Sequence, residues 1–75
     1  MYLSDLKVGQ SSIIKSVGGE GELRLRLLDM GLIPGTVVIV QKTAPLGDPL
    51  QITLRGYELT IRKEDAKKIE VEGVE

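Results

Sequence analysis

The sequence contains no cysteine and no histidine. Disulfide bonds and thiolate metal ligands are therefore excluded, and the side chain that most often serves as a general base at neutral pH is missing. Transition metals that prefer nitrogen or sulfur ligands have no matching side chain, which leaves carboxylates for any cation. Ser11 and Ser12 have no histidine to activate them, so an enzyme is not expected.

Aromatic residues and charge of one sign are also scarce. Tyr2 and Tyr57 are the only aromatic residues, too few for a groove that binds proline-rich peptides. Ten basic and eleven acidic residues give a formal net charge of -1, and no basic stripe for nucleic acid is visible. No apolar run approaches the ~20 residues that span a bilayer, and no secretory signal is recognisable. We therefore expect a cytoplasmic protein that does not insert directly into a membrane.

Short segments rich in β-branched residues are the main feature that is present. They predict five strands, at residues 11–17, 36–43, 50–55, 57–62 and 67–72. Arg55-Gly56 fits a tight hairpin, and residues 63–66 fit one helical turn. The chain is predicted to be a single, mainly β domain, residues 1–75, with an aliphatic core and a frayed end at 73–75. Strands this short and closely spaced indicate a small barrel or a sandwich.

Residues 20–30 carry two conflicting patterns. Leucine and arginine alternate through 23–27, which is typical of a strand. Other features favour a helix, because apolar residues also fall at i, i+4 and i+7: Leu23, Leu27 and Met30. Two acid–base pairs have helical i,i+4 spacing: Glu20/Arg24 and Glu22/Arg26. Gly31 follows as a suitable C′ residue, so we predict a helix that leaves Leu25 opposite its buried stripe.

Several short motifs follow one another with a characteristic spacing: Arg26-Leu27, Met30-Gly31, Pro34-Gly35, Ala44-Pro45-x-Gly47-Asp48-Pro49, Gly56 and Leu59-x-x-Arg62. Each motif alone is weak. In this order they resemble the FeoA family, ferrous iron transport protein A. The resemblance extends over nearly the whole chain, including Ala66, Ile69 and Val71 near its end.

The resemblance implies both a fold and a role. The fold would be an SH3-like small barrel of about five strands with one helix inserted between the first and second strands, similar to the C-terminal SH3-like domain of iron-dependent repressors. The role would be that of a cytosolic accessory or adaptor of the membrane ferrous iron transporter FeoB, whose cytosolic part is a GTP-binding domain. The transporter would recruit the protein to the inner face of the membrane. The family supplies no catalytic residues and no cofactor.

Two segments are candidates for contact with this partner. One is the loop 45–49, in which Leu46, Gly47 and Asp48 would meet the transporter. The other is the helix face and its exit, which hold more apolar residues than one buried stripe needs: Leu25, Leu28, Leu32 and Ile33. The structural alternatives are a rigid hairpin connection and the covering of an open barrel end.

Two further hypotheses use the same residues differently. In the first, the protein is a metal-responsive binding domain like the repressor module, with Glu64 and Asp65 as a weak carboxylate site. Solvated surface charge is the simpler explanation of that pair and the one that we favour. In the second, the leucine-rich helix mediates weak self-association.

Overall fold

The computed structural model describes residues 1–73. A 3₁₀ turn, Leu3–Asp5, precedes the remaining elements, which are β1 (Ser11–Val17), α1 (Gly21–Asp29), β2 (Val37–Thr43), β3 (Leu50–Leu54), β4 (Tyr57–Ile61), α2 (Lys63–Ala66) and β5 (Ile69–Val71). The predicted mainly β architecture, with five strands and one helix between the first and the second, is confirmed. The fraying predicted for the end of the chain falls largely on residues 74 and 75, which lie outside the described residues.

The five strands form one antiparallel sheet in the order β4-β3-β2-β1-β5. In the hairpin of β2 and β3, Val38 pairs with Leu54 at one end and Thr43 with Leu50 at the other. The hairpin of β3 and β4 turns at Arg55 and Gly56, which have φ angles of 50° and 82°. Positive φ at both central residues is the geometry that joins two strands without splaying them.

Strand β1 contains a bulge that the sequence pattern does not reveal. Ile14 and Val17 are both buried although they lie three positions apart, an odd spacing that strict alternation would place on opposite faces. The pairing of β1 with β5 shifts register between Ile14 and Ser16. The extra residue turns Val17 back towards the core. Ile13 precedes the bulge and lies on the outer face because its neighbour Ile14 points inward.

Helix α1 ends in a Schellman motif. Gly31, at φ 101°, donates its N–H to the carbonyl of Leu28 at 3.0 Å, and Leu32 donates to the carbonyl of Leu27 at 3.2 Å. Leu27 and Leu32 are both fully buried, which supplies the apolar contact typical of this motif. Leu25 is 60% exposed, so the helix and the outward position of Leu25 are confirmed.

The prediction of two ion pairs along α1 is wrong, since neither pair forms within residues 1–73. Arg24 instead donates its Nε–H to the carbonyl of Val17 at 3.3 Å. The guanidinium of Arg26 lies 3.8 Å from the carboxylate of Asp65 in α2. Tertiary partners outside the helix therefore take the place of the local ones.

The two outer strands of the sheet differ in how their edges are covered. Beyond β5, Val71 donates its N–H to the carbonyl of Met1 at 2.8 Å, and Tyr2 forms a bridge with Glu70. β4 is the outer strand on the other side and pairs only with β3 among the described residues. The interior is aliphatic, as predicted, and its largest fully buried residues are Leu3, Ile14, Leu27, Leu32, Val38, Val40, Ile52, Leu54, Ile69 and Val71.

Candidate functional site

The loop between β2 and β3, residues 44–49, has a defined conformation of its own. Ala44 receives a hydrogen bond at its carbonyl from the N–H of Gly47 at 2.7 Å and donates its N–H to the carbonyl of Pro49 at 3.0 Å. The Asp48–Pro49 peptide bond is cis. Backbone hydrogen bonds thus close the loop at its base and across its tip.

The loop is also attached to α2. Asp48 accepts a hydrogen bond at its carboxylate from the backbone N–H of Lys63, at 2.9 Å. Lys63 is the first residue of α2, and its N–H has no partner within the helix. Arg62 occupies the N-cap position of α2 but provides no side-chain cap, so Asp48 supplies it instead. The same hydrogen bond joins the loop to the end of β4.

Leu46 stands at the tip of this attached loop with 92% of its side chain exposed. It is the most exposed of the large apolar residues in the described part of the chain, and it does not fold back onto the sheet. Neighbouring Gly47 has a φ of 81°, which glycine adopts without strain and which turns the chain sharply after Leu46. The loop therefore presents one apolar side chain to solvent.

The helix exit contributes less surface than the sequence indicates. Leu25 is exposed and Ile33 is 37% exposed, but Leu28 is partly buried against the core. Leu32 has no exposed surface, because the Schellman motif turns it inward against Leu27. The assignment of Leu32 to a partner-binding surface is therefore corrected to a core position.

The loop and the helix exit do not form one continuous patch. A Cβ placed on Gly31 would overlap the Tyr57 hydroxyl and lie 3.3 Å from Leu54, so the helix exit packs at one end of β3. The loop leaves from the opposite end, beside Leu50. Leu50 and Leu54 are four residue steps apart along an extended strand, a distance of about 13 Å. Leu46 and Ile33 therefore belong to separate surfaces.

Other surface features were not predicted from the sequence. Ile13 and Val37 are direct cross-strand partners and are both about half exposed on the outer face of the sheet. A shallow cavity of about 240 Å³ lies at the base of the loop, between Ala44, Pro49 and Thr60. Register between strands, which the sequence does not encode locally, determines both features.

The carboxylates do not converge on a metal site. Within residues 1–73, no group of three or more Asp and Glu side chains is placed to hold a metal ion. Asp65 is largely buried and lies beside Arg26, whereas Glu64 is exposed and lies 3.7 Å from Arg62. The two acids of the predicted weak site thus have different arginine neighbours.

The candidate nucleophiles have structural roles or none. The Ser12 hydroxyl donates a hydrogen bond to the carbonyl of Glu72, which links β1 to the end of β5. Ser11 is exposed at the start of β1. Neither arrangement brings a base towards a hydroxyl group.

The geometry of the fold and loop can be compared with known proteins. A family model for the FeoA domain matches residues 1–73. The chain belongs to the FeoA domain family. The family is linked to ferrous iron transport through a curated relative, the Fe(2+) transport protein A/Fe(2+) transporter FeoB fusion protein of Porphyromonas gingivalis. That protein is 43% identical over 72 residues, and the match covers 96% of this chain but only 8% of the fusion protein.

Solved FeoA structures share the fold. Iron(II) transport protein A from Clostridium thermocellum is 40% identical, with a TM-score of 0.91 over 96% of this chain and 44% of that chain. Zinc-complexed FeoA from Stenotrophomonas maltophilia, described as a prokaryotic SH3 domain protein and a candidate activating factor of ferrous iron transport, is 26% identical. Its TM-score is 0.84 over 96% of this chain and 89% of that chain. The predicted SH3-like fold is confirmed.

The predicted likeness to iron-dependent repressors holds for the fold alone. The repressor IdeR of T. acidophilum has a TM-score of 0.81 over 95% of this FeoA chain, at 21% identity and 32% of its own length. In residues 1–73, no helix is both long and apolar enough to cross a bilayer.

Proposed function

We propose that this FeoA protein is a non-enzymatic adaptor that contacts the cytosolic part of the transporter FeoB. The observation that carries the proposal is Leu46, a leucine displayed on an ordered loop of a protein whose relative is fused to FeoB. A fusion holds two proteins at a high effective concentration, as expected when they act together. The absence of histidine and cysteine agrees with a role in binding rather than in catalysis.

Leu46 has the properties of an interface anchor. Burial of a leucine side chain in a partner contributes about 1.5–3 kcal/mol. The loop hydrogen bonds and the contact between Asp48 and Lys63 already hold the tip in place, so little conformational entropy is lost on binding. In the proposed adaptor, Gly47 provides the sharp turn at the tip, and Asp48 holds the loop against α2.

The helix exit is proposed as a second, weaker contact. Leu25 and Ile33 remain available there, whereas Leu32 does not. Because the two surfaces lie at opposite ends of β3, a partner that uses both must span the length of that strand. The proposal therefore assigns the larger effect to Leu46.

A binding experiment with the FeoB cytosolic domain of the same organism tests the proposal. Leu46→Asp is expected to weaken binding at least tenfold, and Ile33→Asp to weaken it less. Val8→Asp is the matched control, because Val8 is also an exposed apolar residue outside the strands and helices. Circular dichroism should show that all three variants remain folded.

Two results would contradict the adaptor model. One is the absence of binding by the wild-type protein at about 100 μM, a concentration at which even weak specific contacts are measurable. The other is binding that neither Leu46→Asp nor Ile33→Asp alters.

A second candidate function is direct metal binding, and the zinc bound to the Stenotrophomonas maltophilia relative favours it. In this chain Glu64 and Asp65 would be the ligands, and a divalent ion would have to displace Arg62 and Arg26 from them. Titration calorimetry with Fe²⁺ or Zn²⁺ is the test. Saturable micromolar binding that Glu64→Gln/Asp65→Asn abolishes would support this function over the adaptor model.

A further inference from the structure

The outer edge of β4 carries free backbone hydrogen-bonding groups. Hydrogen bonding alternates along an antiparallel strand, so residues that face one neighbour are separated by residues that face the other. Val40 bonds towards β1, because its N–H donates to Gln10 and its carbonyl accepts from Gly9. Followed through the pairing of β2 with β3 and of β3 with β4, this alternation directs the backbone N–H and carbonyl of Leu59 towards β3. The backbone groups of Glu58 and Thr60 then point outwards, away from the sheet.

Nothing in residues 1–73 pairs with these outward groups. The backbone of Glu58 and Thr60 makes no hydrogen bond to a turn, loop or terminus within the described part of the chain. A groove of about 220 Å³, lined by Arg26, Met30 and Thr60, separates the β4 edge from α1. The edge is therefore open, whereas Met1 and Tyr2 cover the opposite edge of the sheet.

The side chains along this edge are self-complementary in charge. Glu58, Thr60 and Arg62 alternate along one exposed face. Arg62 continues the strand conformation beyond β4, with φ -69° and ψ 147°. If a second copy pairs antiparallel with Thr60 opposite Thr60, each Glu58 lies opposite the Arg62 of the other copy.

We propose that the β4 edge pairs with the β4 edge of a second copy of this chain, in the register centred on Thr60. The backbone N–H of each Thr60 donates to the backbone carbonyl of the other Thr60. The backbone N–H of each Arg62 donates to the Glu58 carbonyl of the other copy. The arrangement joins two five-stranded sheets across a two-fold axis. It places self-association on β4, independently of any contact with FeoB and away from the leucines of α1.

The side chains of Glu58 and Arg62 are already placed so that they can pair in this register. The Glu58 carboxylate accepts a hydrogen bond from the Gln51 amide at 2.7 Å, which holds it on the outer face. The only competing partner of Arg62 among the described residues is Glu64, at 3.7 Å in an exposed pair. Exposed pairs of this kind are weak, so Arg62 is readily redirected. An edge-only contact is small, and the dimer is therefore a weak one.

Sedimentation equilibrium at concentrations up to about 1 mM tests the pairing with charge reversals. Glu58→Arg and Arg62→Glu each replace two attractive contacts per dimer by repulsive ones, so each should raise the dimer dissociation constant about tenfold. The double variant should restore it to within about threefold of the wild type. Glu22→Arg and Lys67→Glu make the same charge changes at exposed positions away from β4 and should leave it unchanged.

Amide hydrogen exchange gives a second, independent readout. In dilute solution the amides of Glu58 and Thr60 should exchange fast and that of Leu59 slowly. At high concentration the first two should become protected, and Thr60→Pro should abolish dimerisation while the hairpin of β3 and β4 stays intact. A wild-type protein that remains monomeric at about 1 mM overturns the proposal, and so does a dimer insensitive to these charge reversals.

Discussion

Asp48 and Lys63 link the loop that carries Leu46 to the start of α2. The carboxylate of Asp48 accepts the backbone N–H of Lys63 at 2.9 Å, across fifteen positions of the chain. The loop leads into β3 at Leu50, which pairs with Ile61 at the end of β4, so this hydrogen bond attaches the loop to the helix that leaves the same end of the sheet. One side chain thus contributes both to helix capping and to the position of the proposed anchor.

Asp48→Ala should lower the free energy of unfolding by about 1 kcal/mol, because the first N–H of α2 loses its acceptor. With a urea m-value near 1 kcal/mol/M for a protein of this size, the midpoint should fall by about 1 M. Glu72→Ala is the control, because it removes the same charge from an exposed side chain without a hydrogen bond among residues 1–73. Equal midpoints for the two variants would show that the cap contributes nothing.

Gly31→Ala should destabilise the protein by about 2–3 kcal/mol, since two costs combine at this position. Its φ of 101° is strained for any residue with a Cβ, at about 1–2 kcal/mol. The added methyl group would also overlap the Tyr57 hydroxyl, which donates a hydrogen bond to the Met30 carbonyl. Thermal or urea unfolding measures the sum.

Gly35→Ala separates the two costs. Its φ is 93°, close to that of Gly31, but a Cβ there has no neighbour within 4 Å. The loss at Gly35 should therefore be limited to the same backbone cost of about 1–2 kcal/mol. Removal of the overlap by Tyr57→Phe should make Gly31→Ala less costly, and a double-mutant cycle without coupling would contradict this account.

The local signals in this sequence predicted local structure well. The bounds of β1, the one-turn α2 and the hairpin at Arg55-Gly56 follow from β-branched runs and breakers. The end of α1 was predictable from Gly31, because the C′ position of a helix commonly requires a positive φ, which glycine adopts without strain. The family resemblance then supplied the SH3-like arrangement of these elements, which periodicity alone left as a barrel or a sandwich.

Features that depend on tertiary pairing were not predictable in the same way. The bulge in β1 depends on its register with β5, and the partners of Arg24 and Arg26 come from other elements. The candidate surface shows the same limit. Leu32 and Leu46 are both leucines outside the regular elements, yet one closes the helix end and the other stands in solvent. Only the hydrogen bonds around each residue distinguish them.

The register of α1 predicts opposite results for two leucines that a strand would treat alike. Leu27→Ala should cost about 2–5 kcal/mol, because it opens a cavity in the core. Leu25→Ala should change the free energy of unfolding by no more than about 0.5 kcal/mol, because most of the side chain is already in water. In a strand the two residues would share one face, and similar losses at both would contradict the helix.

Leu32 and Leu46 provide the strongest test of the division between core and surface. Leu32→Asp should unfold the protein, because an unpaired carboxylate in the core costs more than about 4 kcal/mol, a large part of the stability of so small a domain. Leu46→Asp should leave the urea midpoint within about 0.5 M of the wild type, because its side chain loses no contact. Circular dichroism and urea titration of both variants make the comparison. A destabilised Leu46→Asp variant would mean that the tip packs against the sheet in solution, and the proposed anchor for FeoB would then be lost with it.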